Sequence, residues 1–154
     1  MLYLWLKTIH IISATLLFGT GLGSAFYLWR AHLTNNIHAI AFATKNVVMA
    51  DWWFTTPAVI IQPLTGFWMA ALVHYPLHAT WIMLSLFLYF LTGACWIPVV
   101  WLQMKMCEMA KIAVNQNASL PRRYYQFYQI WFFLGWPAFT SVLCIFYLMV
   151  TKVS

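Results

Sequence analysis

The chain has 154 residues, of which 64% are hydrophobic and only 6% are charged, and its formal net charge is +6. A soluble domain carries about 25% charged residues, so this composition excludes a globular protein with a water-facing surface. The apolar runs exceed the roughly 20 residues that span a bilayer, and the sequence lacks alternating strand patterns. Because backbone in lipid must satisfy its own hydrogen bonds, the sequence predicts an all-α integral membrane protein.

The positive charge raises the question of a nucleic-acid partner. The eight Lys and Arg residues, however, are scattered at the ends of the apolar runs. They form no basic patch of the kind that nucleic-acid-binding proteins present. Positive residues in such places orient membrane helices and contact anionic lipid. We therefore expect the lipid bilayer as a partner and no nucleic acid.

Four apolar runs predict a four-helix bundle in a single transmembrane domain over residues 1–154. The helices are expected at about residues 2–29, 51–73, 79–104 and 124–150. The first run is longer than the roughly 7–15 residues of a signal-peptide core, so we expect an uncleaved helix. The connector after it is expected to contain a short interfacial helix at about residues 40–50. HYPLH, from His74 to His78, predicts a tight turn.

The distribution of Lys and Arg predicts the orientation of the bundle. Six of the eight flank the first and third connectors, whereas two lie near the termini. Short cytoplasmic loops carry an excess of positive residues, so these connectors are predicted inside and both termini outside. The expected location is the bacterial cytoplasmic (inner) membrane, which the chain crosses several times.

Polar side chains recur at helical spacing and predict a polar seam in the bundle interior. Its main members are expected to be Asp51, Gln62, Tyr89, Gln103 and Gln129. The seam is either interhelical glue or a path for protons or solutes. Asp51 is expected to pair with a basic residue near a connector or to cap the N-terminus of its helix.

Histidines and a lysine gather near the predicted outer side of the bundle, and they are candidates for a cofactor site. They are His10, His74, His78 and Lys7. Neutral imidazole is a common ligand of haem iron, and helix bundles build such sites from facing helices. His32, in the first connector, is expected to be solvated.

A non-covalent haem b would take His10 and His78 as iron ligands, with His74 or Met69 as an alternative axial ligand. Lys7 or Lys152 would lie near a propionate. The opposing interpretation is that His10 is an ordinary histidine of the membrane interface, where its burial costs little.

YLWLKTIHIIS, from Tyr3 to Ser13, followed by a glycine-rich turn of helix, is similar to the first helix of the four-helix membrane protoporphyrinogen oxidase family. In that family the corresponding histidine is thought to bind haem b, which the resemblance implies for His10. LHATWIMLSLFLYF resembles the start of a later helix of that family, and His78 matches its histidine. Thr80 and Phe90 stand where that family is expected to have lysine and histidine.

A closer resemblance covers essentially the whole chain. It is to an uncharacterised family of bacterial predicted integral-membrane proteins, which implies a membrane fold and no known activity. The stretches that carry it are GLGSAFYLWRAH, ADWWFTTPAVIIQPLTG, GACWIPVVWLQMKM and LGWPAFTSVLCIFYLMV.

Two hypotheses about function stay open at this point. The first is a redox membrane protein that binds haem b or quinone at the outer side of the bundle, with the seam conducting protons. The second is a non-enzymatic small transporter or an accessory subunit of a membrane complex. Gly19 and Gly23 have the small-xxx-small spacing of close helix contacts, which offers a seam for packing or for a homodimer. Intramembrane hydrolysis is disfavoured, because no nucleophile and base lie at a usable spacing.

Overall fold

A computed structural model describes residues 1–152, and these residues form helices joined by short connectors. The elements are α1 (Leu2–Leu33), α2 (Ile37–Ala50), a π-helical segment (Asp51–Thr55), α3 (Thr56–Leu72), α4 (Thr80–Asn115) and α5 (Arg122–Thr151). No strand occurs among the described residues. Three helices, α1, α4 and α5, are long and apolar enough to cross a membrane. The prediction of an all-α membrane protein is therefore confirmed.

Two helices extend well beyond the predicted membrane segments. The third predicted helix ended near residue 104, whereas α4 continues to Asn115. Residues 105–115 are more polar but contain no glycine or proline, so the helix has no reason to stop where its hydrophobicity falls. It ends at the left-handed Asn117, whose φ is 49°. The first helix likewise continues past residue 29 to Leu33.

The helix expected at about residues 40–50 is present, but it is not separate from the next one. Asn36 caps its start, because its side-chain oxygen accepts from the backbone N–H groups of His38 and Ala39 at 2.9 and 3.3 Å. From there the backbone is helical without interruption through the π-helical segment to Leu72. We call residues 37–72 the continuous helix 37–72.

The π-helical segment has a local cause in Pro57. A proline inside a helix lacks its own N–H donor, and its ring clashes with the carbonyl four residues earlier, here that of Trp53. Just before the proline, the backbone N–H of Thr56 bonds to the carbonyl of Asp51, five residues back. A π turn of this kind widens the helix by one residue, and such turns are frequent at functional sites. It also rotates the side chain of Asp51 relative to α3.

The helices associate as two antiparallel pairs. In one pair α1 packs against the continuous helix 37–72, and in the other α4 packs against α5. The two pairs are joined mainly where α2 packs on α4. We call this the connector end, because connectors 34–36 and 116–121 lie there. Both termini and the turn 73–79 lie at the opposite, terminal end.

The hydrophobic core is concentrated at the connector end. Its fully buried members come from every helix that reaches that end. They are Leu28, Ile40, Ala43, Val47, Leu102, Met106, Ala110, Tyr124 and Trp131. Towards the terminal end the two pairs separate, and the space between them forms cavities.

Two adjacent cavities lie between the pairs along the bundle axis. The terminal cavity has a volume of about 610 Å³ and the connector cavity about 460 Å³. Both are lined mostly by apolar side chains. Five residues line both, so the cavities are neighbours: Leu17, Thr55, Thr92, Trp96 and Val142.

The glycine motif of α1 contributes to packing at one position only. A methyl group added at Gly21 would lie 3.4 Å from the ring of Phe139, so this glycine faces α5. At Gly19 and Gly23 an added methyl group would meet no atom of the described chain within 4 Å. The homodimer seam at these two glycines stays a prediction.

Candidate functional site

The side chain of His10, on α1, is held by two polar side chains of α3, Gln62 and Thr65. Its Nδ1 lies 2.7 Å from Thr65 Oγ1, and its Nε2 lies 3.3 Å from Gln62 Nε2. Ser13 Oγ donates to Gln62 Oε1. We call His10, Ser13, Gln62 and Thr65 the His10 network.

The partners of the network determine which nitrogen of His10 carries the proton. Thr65 donates its hydroxyl proton to the Ile61 carbonyl at 2.7 Å, so its oxygen must accept a proton from Nδ1–H. Nε2 is then the unprotonated acceptor of the Gln62 amide N–H, and Gln62 Oε1 is free to accept from Ser13. With this assignment every donor and acceptor of the network is satisfied, and the imidazole is neutral and protonated at Nδ1.

Sequence spacing explains why these four side chains meet. His10 and Ser13 are one turn apart on α1, and Gln62 and Thr65 have the same separation on α3, so each pair shares a helix face. Gly66 completes the site, because a methyl group there would lie 3.4 Å from His10 Cε1. The absence of a side chain at Gly66 lets the ring lie against α3.

The other candidates of the predicted cofactor site are not all brought together. Lys7 and His10 line the terminal cavity, as do Met69 and Lys152. His74 and His78 lie exposed in the turn 73–79 and are not part of its lining. Among residues 1–152, no three His, Cys, Asp or Glu side chains are grouped to hold a metal ion.

This geometry does not fit a haem held by both His10 and His78. His78 lies outside the cavity, and both ring nitrogens of His10 already have hydrogen-bond partners on α3. A haem in this cavity would take His10 as its one histidine ligand, after the long contact with Gln62 had opened. The thioether of Met69 lies in the same lining.

The predicted seam is divided between the two cavities. Gln62 and Tyr89 line the terminal cavity, where the Tyr89 hydroxyl donates to the carbonyl of Val59. Asp51 and Gln103 line the connector cavity.

Gln129 lies apart from the other four residues of the predicted seam, since it is exposed and lines neither cavity. The buried face of α5 includes Tyr124 and Trp131, seven residues apart. Gln129 lies about 140° around the helix from Tyr124, at 3.6 residues per turn, and therefore points away from that face.

Asp51 also differs from its expected role. It lies inside the continuous helix 37–72 and does not cap a helix N-terminus. Thr55 Oγ1 donates a hydrogen bond to it at 2.9 Å, and Gln103 is a second uncharged hydrogen-bond partner. Within residues 1–152 the one ion pair joins Lys105 and Glu108 on the surface. Asp51 therefore has no basic partner among the described residues.

A second histidine cluster, at the connector end, was missed by sequence reasoning. His32 was expected to be solvated, but it is partly buried and accepts from the Tyr124 hydroxyl at 2.8 Å. Its Nδ1 lies 2.7 Å from the Leu28 carbonyl, and its ring stacks on Tyr128 at 3.8 Å. The aromatic run at the start of α5 was the signal that could have indicated a packed clamp between α1 and α5.

A family model covers nearly the whole chain. Residues 4–153 match the family described as "Predicted integral membrane protein (DUF2269)". The chain belongs to this family. No curated protein and no solved structure matches it. The predicted resemblance to an uncharacterised membrane family is thus confirmed, while the resemblance to the oxidase family stays a prediction.

Proposed function

We propose that this membrane protein binds, in its terminal cavity, an amphiphile with an apolar body and an anionic end. The observation that carries the proposal is a cavity of about 610 Å³ with two lysines and no acidic residue in its described lining. Lys7 belongs to α1 and Lys152 follows α5, so the positive groups come from both helix pairs. Both side chains are exposed, which keeps their amino groups in water or among lipid headgroups.

The interior of the cavity supports an apolar body for the ligand. Its walls are mostly apolar, and its polar side chains are largely occupied by bonds within the protein. His10, Gln62 and Tyr89 all have partners inside the chain. A ligand that lacks polar groups in its buried part would therefore leave these bonds intact, which favours a lipid-like tail or an aromatic ring system.

Haem b shares the apolar body and the carboxylates of this class, because it joins a flat macrocycle to propionates, but unlike a lipid-like tail it would need His10 Nε2 to leave the Gln62 amide. When bound it would supply electron transfer or ligand chemistry at its iron. In this chain His10 would hold the iron, and Lys7 and Lys152 would meet the carboxylates. A quinone has no anionic end and would use only the apolar part of the cavity.

The proposal is tested with a fluorescent long-chain fatty acid and the matching fatty alcohol, each titrated into the purified protein in nanodiscs. The double variant Lys7→Gln/Lys152→Gln should weaken binding of the acid roughly fivefold, since exposed charge pairs contribute about 0.5 kcal/mol each. Binding of the alcohol should not change. Lys111→Gln, an exposed lysine at the connector end, is the matched control. Equal weakening of acid and alcohol, or none, contradicts the proposal.

The haem member of the class has its own readout. Protein purified from haem-replete cells should show a Soret band, and His10→Ala should weaken it. A colourless preparation excludes haem b and leaves the fatty-acid titration to decide the wider proposal.

We also propose that residues 51–72 form a fourth membrane span and that both termini lie outside. The antiparallel packing of α3 on α1 supports a matching depth for the two helices. The connector end carries the majority of the basic residues, which favours a cytoplasmic position for it.

A further inference from the structure

The connector cavity contains a second site that is distinct from the His10 network. It lies between α1, the π-helical segment, α4 and α5, and its volume is about 460 Å³. Aromatic rings supply much of its wall. They are Phe18, Phe26, Trp29, Trp96, Trp131, Phe132, Trp136 and Phe139.

One carboxyl group faces this aromatic cavity. Asp51 is only 5% exposed, and its hydrogen-bond partners among the described residues, Thr55 and Gln103, are both uncharged. The lining contains no Lys, Arg or His within residues 1–152. A buried carboxylate without a counter-charge is strongly disfavoured, so the empty cavity leaves this group in need of a proton or a cation.

Two further polar side chains point to a missing ligand. Gln103 and Trp131 line the same cavity and are 4% and 6% exposed. Gln103 Oε1 and Trp131 Nε1 are buried and have no hydrogen-bond partner. Buried polar atoms are almost always paired, so two orphans in one cavity are unusual. The amide of Gln103 also lies beside the Asp51 carboxyl group.

These groups define the chemistry of the ligand. The Asp51 carboxylate and Gln103 Oε1 are acceptors, so a matching ligand has N–H or O–H donors. A positive charge on the ligand would also neutralise the carboxylate. The faces of Trp and Phe rings attract a desolvated cation. The remaining donor, Trp131 Nε1–H, can serve an acceptor atom elsewhere in the ligand or a water molecule. An organic cation with N–H groups satisfies the carboxylate, the amide oxygen and the aromatic walls together.

We propose that the connector cavity binds a protonated primary or secondary amine with an apolar body, its ammonium group donating to Asp51 and to Gln103 Oε1. The terminal cavity has the opposite charge, because lysines line it and no acidic residue does in the described chain. The inference therefore does not depend on the amphiphile that we propose for the terminal cavity.

Binding at this site is linked to proton release. Without a bound cation the carboxyl group should keep its proton, since the other described side chains that line the cavity, from α1, the π-helical segment, α4 and α5, are all uncharged. When the ammonium group binds, Asp51 gives up its proton to solvent and the carboxylate pairs with the cation. One proton leaves for each cation bound, and affinity rises by up to about tenfold per pH unit while the empty site is protonated.

The test uses the full chain in nanodiscs with 2-phenylethylamine as the probe, titrated by calorimetry between pH 6 and 9. Its neutral analogue 2-phenylethanol lacks the charge, and its N,N,N-trimethyl derivative keeps the charge without N–H groups. We expect saturable binding of the amine that strengthens with pH, weaker binding of the trimethyl cation and weakest binding of the alcohol. Equal binding of amine and alcohol, or no saturable amine binding at any pH, overturns the proposal.

Variants locate the site. Asp51→Asn should weaken amine binding by at least about tenfold, since hydrogen bonds to charged groups are the strong ones. It should also abolish the pH dependence. Glu108→Gln removes the other acidic residue, which is exposed on α4, and should change neither result. Unchanged binding in Asp51→Asn contradicts the assignment.

A folding failure does not leave the proposal untested. Helical content and thermal unfolding of Asp51→Asn are measured first. If that variant does not fold, Gln103→Leu should weaken binding of the amine more than binding of the trimethyl cation, because only the amine donates an N–H to Gln103 Oε1. The same loss for both cations contradicts the proposed contact.

Discussion

At the scale of single residues, His10 acts as a neutral hydrogen-bonding bridge between two helices. Each of these side chains donates a hydrogen bond to the next, in the order Ser13, Gln62, His10 and Thr65. Hydrogen bonds between membrane helices average about 0.6 kcal/mol each, so the bridge is a modest contributor to stability. Its larger effect is to fix the orientation of the imidazole at the wall of the terminal cavity.

Gln62 is the residue whose removal tests this network. Gln62→Leu deletes the bonds to both His10 and Ser13, so the free energy of unfolding should fall by about 1 kcal/mol, from two bonds of average strength. The measurement is a reversible unfolding titration in mixed micelles. Gln129→Leu is the matched control, because that glutamine is exposed on α5. An equal loss in the two variants contradicts the network.

Residue-scale prediction succeeded where helical periodicity was enough. The spacing along the second predicted helix placed Asp51, Thr55, Gln62 and Thr65 on one face, and the structure has all four buried. The partners of His10 lie 52 to 55 residues away in the chain, and no local pattern indicates which helix faces α1. The position of Gln129, apart from the other four seam residues, has the same cause, since periodicity predicts which residues share a helix face and not which helix packs against that face.

At the scale of elements, the clamp between His32 on α1 and Tyr124 on α5 joins the two helix pairs at the connector end. Tyr124 is fully buried, and its hydroxyl group donates to His32 Nε2 at 2.8 Å. Tyr124→Phe keeps the ring and removes this donor, so the free energy of unfolding should fall by about 1 kcal/mol. The adjacent Tyr125 is exposed, which makes Tyr125→Phe the matched control in the same thermal melt. A stability loss in Tyr125→Phe as large as in Tyr124→Phe contradicts the clamp.

Element boundaries were predictable where the sequence contains a breaker. Polar connectors at residues 34–36 and 116–121 and the proline-containing turn 73–79 lie where the sequence placed them. The extension of α4 to Asn115 was missed because hydropathy reports the edge of the bilayer and not the end of a helix. The π-helical segment before Pro57 was also missed, since the apolar run predicted one regular helix over residues 51–73.

At the scale of the whole molecule, the arrangement of basic residues gives a testable topology. A reporter fused after Ser154 should be found on the outer side of the membrane. Fusions inserted in the connector 34–36 should be active only in the cytoplasm, because six of the eight Lys and Arg residues flank the two connectors at that end. A cytoplasmic C-terminus contradicts the proposed four spans with both termini outside.

Composition alone predicted the class of the molecule, since so few charges cannot cover a soluble fold. The association of the helices into two pairs was not predictable, because it depends on how side chains from distant segments fit together. The cavities follow from that pairing. The sequence placed Lys7 and Lys152 near the predicted cofactor site, but the walls of the cavities and the orphaned polar atoms at the connector cavity could not be located from it.

The central claim is that the terminal cavity holds the apolar body of an anionic amphiphile. The most direct measurement is fatty-acid binding to a protein whose cavity has been filled. Ala14 lines this cavity, and Ala14→Trp should abolish saturable binding while both lysines remain. Ala71, which is exposed on α3 and outside the lining, provides the control Ala71→Trp, and this variant should bind like the wild type. Full-strength binding to a folded Ala14→Trp protein would contradict the account.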